Sequence, residues 1–315
     1  MQRRLALATL VAAGLPAWAA DGKKIVLGFS QIGAESAWRT ANSASIKQAA
    51  KDAGIELKFA DAQQKQENQI KALRAFIAQK VDVIALSPVV ETGWGTVLRE
   101  AKAAGIPVVL TDRLVKEADE SLWVSFMGSD FVEEGRRAGR WLLDKTKGKD
   151  EIRIVELQGT VGAAPALDRK KGFEEAIKAD ARLKIVRSQT ADFSRAKGKE
   201  VMEAFLKAEA GKKIHVLYAH NDDMALGAIQ AIEEAGLKPG QDILVVSIDG
   251  VKAAFQAMVA GKLNVTVECS PLLGPPLMQA VKDLKAGKTL PRRLITEEGV
   301  FPAEVAAREL PNRKY

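Results

Sequence analysis

The chain has 315 residues, enough for about two domains, and its 47% hydrophobic content lets each half bury a core. Aromatic residues are scarce at 5%, so a tryptophan set among charged residues stands out. The formal charge of +7 comes from lysines and arginines scattered among acids along helical segments, with no basic cluster interleaved with aromatics, which speaks against a nucleic-acid surface.

Residues 1–20 read as an export leader outside the fold. Arg3 and Arg4 form a basic start, residues 5–15 an apolar core, and Ala17 and Ala19 the small positions before a cut placed after Ala19. The apolar run is too short to span a bilayer, and no other stretch is long and apolar enough. The expectation is an exported, soluble protein. The one cysteine, Cys269, leaves no internal disulfide and no lipid-modified cysteine behind the cut.

From residue 24 onward strands and helices alternate. Strands are expected over 25–29, 55–60, 81–86, 108–111, 122–126, 152–157, 183–188, 214–218, 243–248, 263–268 and 294–300. Between them lie segments of helical spacing, such as Asn68, Ile70, Leu73, Phe76 and Ile77, or Met224, Leu226, Ile229 and Ile232. Gly54, Gly105 and Gly236 each follow such a segment and precede a strand, as helix C-cap glycines do. The alternation predicts βαβ units and parallel sheets, too many strands for one small sheet. The expected fold class is therefore α/β, with two doubly wound lobes. No Pro/Gly/Ser-rich linker separates them.

In open α/β sheets, ligands bind just past the carboxyl ends of the strands. The first strand runs into Glu35, Ser36, Trp38 and Arg39 at a helix start. Later strand ends carry Asp61, Ser87 with Trp94 nearby, Asp112-Arg113, Asp168-Arg169, Asp192-Phe193, Asn221 with Asp222 and Asp223, Asp249-Gly250, and Glu268. Such a mixture suits a sugar. Hydroxyls both donate and accept, so carboxylates can receive their protons while Arg and Asn donate to their oxygens. A flat aromatic such as Trp38 or Phe193 suits the apolar C–H face of the ring. Asn221 is assigned here to the ligand, and Asp222 or Asp223 to capping the following helix.

Catalytic and cofactor devices are missing from the sequence. His215 and His220 have no third His or Cys at metal-ligand spacing, so no metal is expected. Cys269 reads as a packed thiol. There is no nucleophile elbow, phosphate loop or dinucleotide fingerprint, hence no cofactor. A glycosidase pair of carboxylates is disfavoured by the arginines beside them, which would lower their pKa values.

These residues resemble the ribose- and galactose-type periplasmic sugar-binding proteins of ABC importers. The likeness covers essentially all of 24–310. It is carried by Thr111-Asp112-Arg113, Gly128-Ser129-Asp130, Glu156-Leu157-Gln158-Gly159, Asp168-Arg169-Lys170-Lys171-Gly172-Phe173, Ala191-Asp192-Phe193, His220-Asn221-Asp222-Asp223-Met224 and Ile248-Asp249-Gly250. The segments at 28–39, 61–69 and 88–94 are similar to those of the galactofuranose-binding members.

The resemblance implies a type I periplasmic binding protein: two Rossmann-like lobes joined by a three-strand hinge that crosses near Ser129-Asp130, Glu268 and Thr296. Lobe one is then 24–129 plus 269–296, and lobe two 130–268 plus 297–315. It implies ligand contacts from Glu35, Ser36, Trp38, Arg39, Asp112 and Arg113 in the first lobe and Arg169, Phe193, Asn221 and Asp249 in the second. Glu268 stands where ribose-binding relatives have a hinge amide. Those relatives also place two aromatics in the first loop, where this chain has Trp38 followed by Arg39, which favours a hexofuranose with an exocyclic diol over ribose. The implied partners are a monosaccharide and an ABC permease with its ATPase on separate chains, and the protein is expected to be a monomer. Alternatives are another sugar of the ribose, galactose or arabinose type, or presentation of the ligand to a chemoreceptor. A sugar-responsive repressor shares the fold, but it needs a DNA-binding headpiece where this sequence has a leader.

Overall fold

The computed structural model describes residues 24–315, so the leader expected over residues 1–19 and its cut after Ala19 lie outside the described residues. The chain runs β1 (Val26–Gln31), α1 (Ala37–Ala53), β2 (Glu56–Asp61), α2 (Gln66–Ala78), β3 (Val83–Leu86), α3 (Gly95–Ala103), β4 (Val108–Thr111) and β5 (Ser125–Gly128). It continues through α4 (Phe131–Lys145), β6 (Ile152–Gln158), α5 (Ala164–Ile177), β7 (Leu183–Thr190), α6 (Arg195–Ala208), β8 (Val216–Ala219), α7 (Asp222–Glu234), β9 (Leu244–Asp249), α8 (Lys252–Val259) and β10 (Val265–Glu268). It closes with α9 (Gly274–Lys285), β11 (Arg293–Ile295), β12 (Val300–Pro302) and α10 (Ala303–Glu309).

Two six-stranded sheets result, ordered β11-β5-β4-β3-β1-β2 and β12-β10-β9-β8-β6-β7. All pairings are parallel except β12 against β10. The inner strands are buried on both faces, which is why β3 and β4 read as unbroken apolar runs rather than alternating ones. Two apolar clusters lie in the first lobe and one fills the second. In both sheets the strand order reverses beside the first strand of the lobe, and the crevice at such a switch point is where ligands sit.

Two sequence expectations shift. The strand expected over 122–126 begins later, because Glu120–Leu122 forms a turn of 3₁₀ helix with Asp119 accepting from the Ser121 N–H. The strand expected over 294–300 is two strands in different sheets, β11 beside β5 and β12 beside β10. The chain therefore passes between the sheets after β5, after β10, and between β11 and β12. One carboxylate oxygen ties these passages together. Glu298 Oε1 accepts from Ser129 Oγ at 2.5 Å, from the Ser270 N–H at 3.0 Å and from Thr296 Oγ1 at 2.8 Å, one donor from each.

The helices start and stop for local reasons. Ser36 caps α1 by accepting from the Arg39 N–H at 3.1 Å, and Gly54 ends it in the left-handed conformation at φ 70°. Helices α4 and α5 touch through glycines, because a Cβ at Gly135 would stand 2.2 Å from the Arg169 carbonyl oxygen and one at Gly172 would stand 1.9 Å from that of Val132. This close approach brings Glu134 on α4 against Arg169 on α5.

Candidate ligand-binding cleft

The lobes are closed on each other over a small cavity. Its walls are Glu35, Ser36, Trp38, Arg39, Asp112 and Arg113 from the first lobe, and Pro165, Arg169, Phe193, Asn221, Asp249 and Cys269 from the second lobe and the hinge. Every residue assigned from the sequence lines this one cavity except Glu268. That carboxylate turns outward, accepting from Arg313 Nη1 at 2.9 Å, Tyr315 Oη at 3.3 Å and the Gly299 N–H at 3.1 Å. Its place on the wall is taken by Cys269, because successive residues at a strand end face opposite ways. Of the other strand-end groups, Asp61 is exposed and caps a local turn, and Trp94 is core, donating to the Val90 carbonyl at 2.7 Å.

The first-lobe wall is a chain of charges. Arg39 donates through Nη2 to Asp112 Oδ2 at 2.6 Å, through Nε to Glu35 Oε1 at 3.1 Å and through Nη1 to Gln31 Oε1 at 3.2 Å. Burial works against the Arg39 charge, but Asp112 and Glu35 outweigh it and hold its pKa above the usual value. Trp38 lies beneath this guanidinium, 4.6 Å from it. Its ring packs into the apolar cluster of the second lobe, and its Nε1 donates to the Cys269 carbonyl at 2.7 Å. Arg113 reaches the Val89 carbonyl at 3.0 Å and sits 5.2 Å over the Phe193 ring, a contact across the cleft. Burial and the neighbouring Arg39 push its pKa down to about 10.

Opposite stands Arg169. Its Nε donates to Glu134 Oε2 at 2.7 Å, its Nη1 to the His220 carbonyl at 2.6 Å, and its Nη2 lies 3.6 Å from Asp249 Oδ1. Burial pushes the Asp249 carboxyl well above its ordinary range, and the Arg169 charge pulls it back. Three wall residues hold positive φ without being glycine: Asp112 at 64°, Phe193 at 59° and Asp249 at 133°. Such backbone costs on the order of 1–3 kcal/mol per residue and clusters where side chains must be aimed. Gly159 seats the Phe193 ring, since a Cβ there would come within 1.9 Å of it.

Asn221 takes on the capping expected of Asp222 or Asp223 while keeping its place on the cavity wall. Asn221 caps α7, accepting from the Met224 N–H at 3.0 Å, while its Nδ2 donates to the Phe193 carbonyl and the residue lines the cavity. Asp222 turns inward and braces the β9 turn. It accepts from the N–H groups of Gly250 at 2.8 Å and Val251 at 2.9 Å and from the hydroxyls of Ser247 and Thr266. Asp222 thus fixes the loop that presents Asp249. Pro165 and Cys269 on the wall, and Glu134 behind Arg169, join the site without a signal in the sequence, being a helix proline, a hinge thiol and an acid in a helix turn.

Among the described residues, Glu134, Cys269 and Glu298 bring three potential ligand atoms within 4.8 Å of one another. A cation there competes with Arg169, already bonded to Glu134, and with the three donors on Glu298. The cluster reads better as the hydrogen-bonded back wall of the cleft.

Behind Arg169, His220 Nε2 lies 3.1 Å from Glu156 Oε1, and Lys170 and Ser188 also bond that carboxylate. Burial lowers the His220 pKa. Burial alone would raise that of Glu156, but His220, Ser188 and Lys170 bring it down to about 2. The folded state then holds fewer protons at Glu156 than the unfolded chain, so this contribution is full above the unfolded value of 4.5 and is lost as pH falls toward 2. Glu156→Gln is expected to flatten the acid limb of the stability profile relative to the native protein, measured by urea denaturation from about pH 5 downward. Parallel profiles would refute the role.

Two α/β lobes closed over a buried, charged and aromatic cavity define a two-lobed solute-binding protein. The chain belongs to the periplasmic binding protein family: residues 27–289 match the family described as periplasmic binding protein domain. It is 50% identical to the galactofuranose-binding protein YtfQ of Escherichia coli (strain K12), covering 100% of this chain and 99% of that one. A solved structure from Mycobacterium smegmatis in complex with β-D-fucofuranose has a TM-score of 0.90 at 55% identity, covering 92% of this chain and 95% of its own. The binding component of an arabinose ABC transporter from Shewanella sp. ANA-3, bound to α- and β-L-arabinofuranose, has a TM-score of 0.89 at 56% identity with the same coverage.

Proposed function

We propose that this chain is an extracytoplasmic solute-binding protein that captures a monosaccharide, galactofuranose first among the candidates, between its lobes and delivers it to an ABC import permease with a separate ATPase. The observation that carries this is the spare hydrogen-bonding capacity of buried charged groups lining one cavity. Glu35 Oε2 and Arg113 Nε are enclosed and make no hydrogen bond within the protein, Arg113 Nε standing 3.6 Å from Asp112 Oδ2, and a polar ligand or water would complete groups of that kind. Furanose sugars named with two similar structures support the ring size.

In this function the lobes, 24–129 plus 269–296 and 130–268 plus 297–315, rotate about the three passages, and the ligand shifts the population toward closure because only the closed cleft offers both walls. Membership of the two sheets supports that division. The protein is exported with its leader cut after Ala19 and works as a monomer; presentation of the bound sugar to a chemoreceptor is compatible with the same closed form.

Calorimetry and thermal shift with a galactofuranoside, L-arabinose, D-galactose and D-ribose test the assignment. The galactofuranoside is expected to bind best. Stabilisation by ribose but not by any galactose form would overturn it. Substituting Trp38 or Arg39 is expected to reorder the sugars, whereas Asp249→Ala weakens all of them together. An unchanged order in both first-loop variants would move the choice of sugar elsewhere.

A further inference from the structure

The cleft is fastened at a point that lies outside the cavity. Asp223, in the first turn of α7 in the second lobe, sends Oδ2 across to the backbone N–H of Ala37, 2.6 Å away, at the start of α1 in the first lobe. Its other oxygen is gripped by Arg195, whose Nε and Nη2 stand at 3.1 and 2.9 Å. Asp223 is buried, 4% exposed, and is not part of the cavity wall. A helix start carries unpaired N–H donors and the positive end of the helix dipole, so an anion there is attracted. In α1 the Ser36 side chain takes the Arg39 N–H, and the Ala37 N–H is answered from the other lobe.

We infer that Asp223 is a closing latch: a positioning residue that sets how long the cleft stays shut, and hence the sugar's residence time, without touching the sugar. This rests on the sugar-capture function proposed above. Residues 37 and 223 belong to different lobes, so their hydrogen bond exists only while the lobes are together. Stabilising the closed form tightens every ligand that needs closure by the same factor. Encounter with the open form is untouched, so the effect falls on the dissociation rate. Arg195 keeps the carboxylate aimed across the gap.

The test uses the mature protein, with L-arabinose and a galactofuranoside as probes, in stopped-flow fluorescence and calorimetry. Asp223→Ala is expected to raise Kd by up to about tenfold for both sugars alike, through a faster koff. Asp223→Asn keeps an acceptor but loses the charge and is expected to show a smaller loss. Arg195→Ala, which leaves the carboxylate in place but unguided, is expected to fall between native and Asp223→Ala. An unchanged Kd in Asp223→Ala, or a loss confined to one sugar, would overturn the latch. Small-angle scattering without sugar separates the latch from the sugar assignment. Asp223→Ala is expected to be more expanded than the native protein whether or not either sugar binds, and identical scattering would count against the latch alone. If Asp223→Ala fails to fold, Asp223→Asn and Arg195→Ala carry both measurements.

Discussion

Arg169→Ala is expected to destabilise the folded protein by about 3–5 kcal/mol and to remove sugar binding with it. The guanidinium is enclosed between Glu134, Asp249 and the His220 carbonyl, and its backbone is wedged against α4 by Gly135. Deleting it leaves two buried carboxylates with no cation beside them and Glu298 and Cys269 close by. Burial already pushes both carboxyls up, and Arg169 is the charge that opposes this. In the variant both groups bind protons more tightly folded than unfolded, so stability is kept at low pH and lost as pH rises. Melting temperatures followed between about pH 5 and 8 should therefore fall more steeply than those of the native protein. A native-like melting temperature across that range would show that the ion pairs carry no structural weight.

Arg113→Ala is expected to behave in the opposite way: affinity falls by about 10- to 150-fold, corresponding to about 1.5–3 kcal/mol for a lost charged hydrogen bond, while the fold is little affected. Asp112 keeps its 2.6 Å bond to Arg39 when Arg113 is gone, so no carboxylate is stranded. Arg113 itself is held at some electrostatic cost, since burial and Arg39 lower its pKa, and its Nε makes no hydrogen bond in the protein, Asp112 Oδ2 standing 3.6 Å away. A group in that condition has most to gain from a ligand oxygen. Calorimetry beside a melting curve separates the two arginines. Unchanged affinity in Arg113→Ala would remove it from the binding wall.

The layout of the cleft was legible in the sequence because parallel sheets place chemistry at strand ends, and those ends are short polar breaks in apolar runs. The two lobes followed from the number of strands. What was not legible depended on a single residue of register or on distant chain. Asn221 and Asp222 are both good caps, and only the start of α7 decides which one caps and which braces β9. Glu268 sits at the end of β10, but Arg313 and Tyr315, arriving from the chain terminus, draw it out of the cleft. The apolar pattern over 294–300 continues across two strands because each is three residues long, too short to show its own boundary. Glu134 looks like one more acid on a helix until Gly135 and Gly172 press α5 against it.

Cys269 gives the molecule a built-in clock. It is the single thiol of the chain, it lines the cavity, and it is 1% exposed in the closed form. Burial raises its pKa well above the usual thiol value, so in that state it is protonated and shielded from reagents. Alkylation by a small maleimide then waits for the lobes to part, and its rate counts openings one molecule at a time. Saturating sugar is expected to slow labelling in proportion to occupancy, which converts a chemical modification into a binding isotherm with no engineered probe. Labelling at the same rate with and without sugar would mean that the thiol is reached by a route other than the cleft.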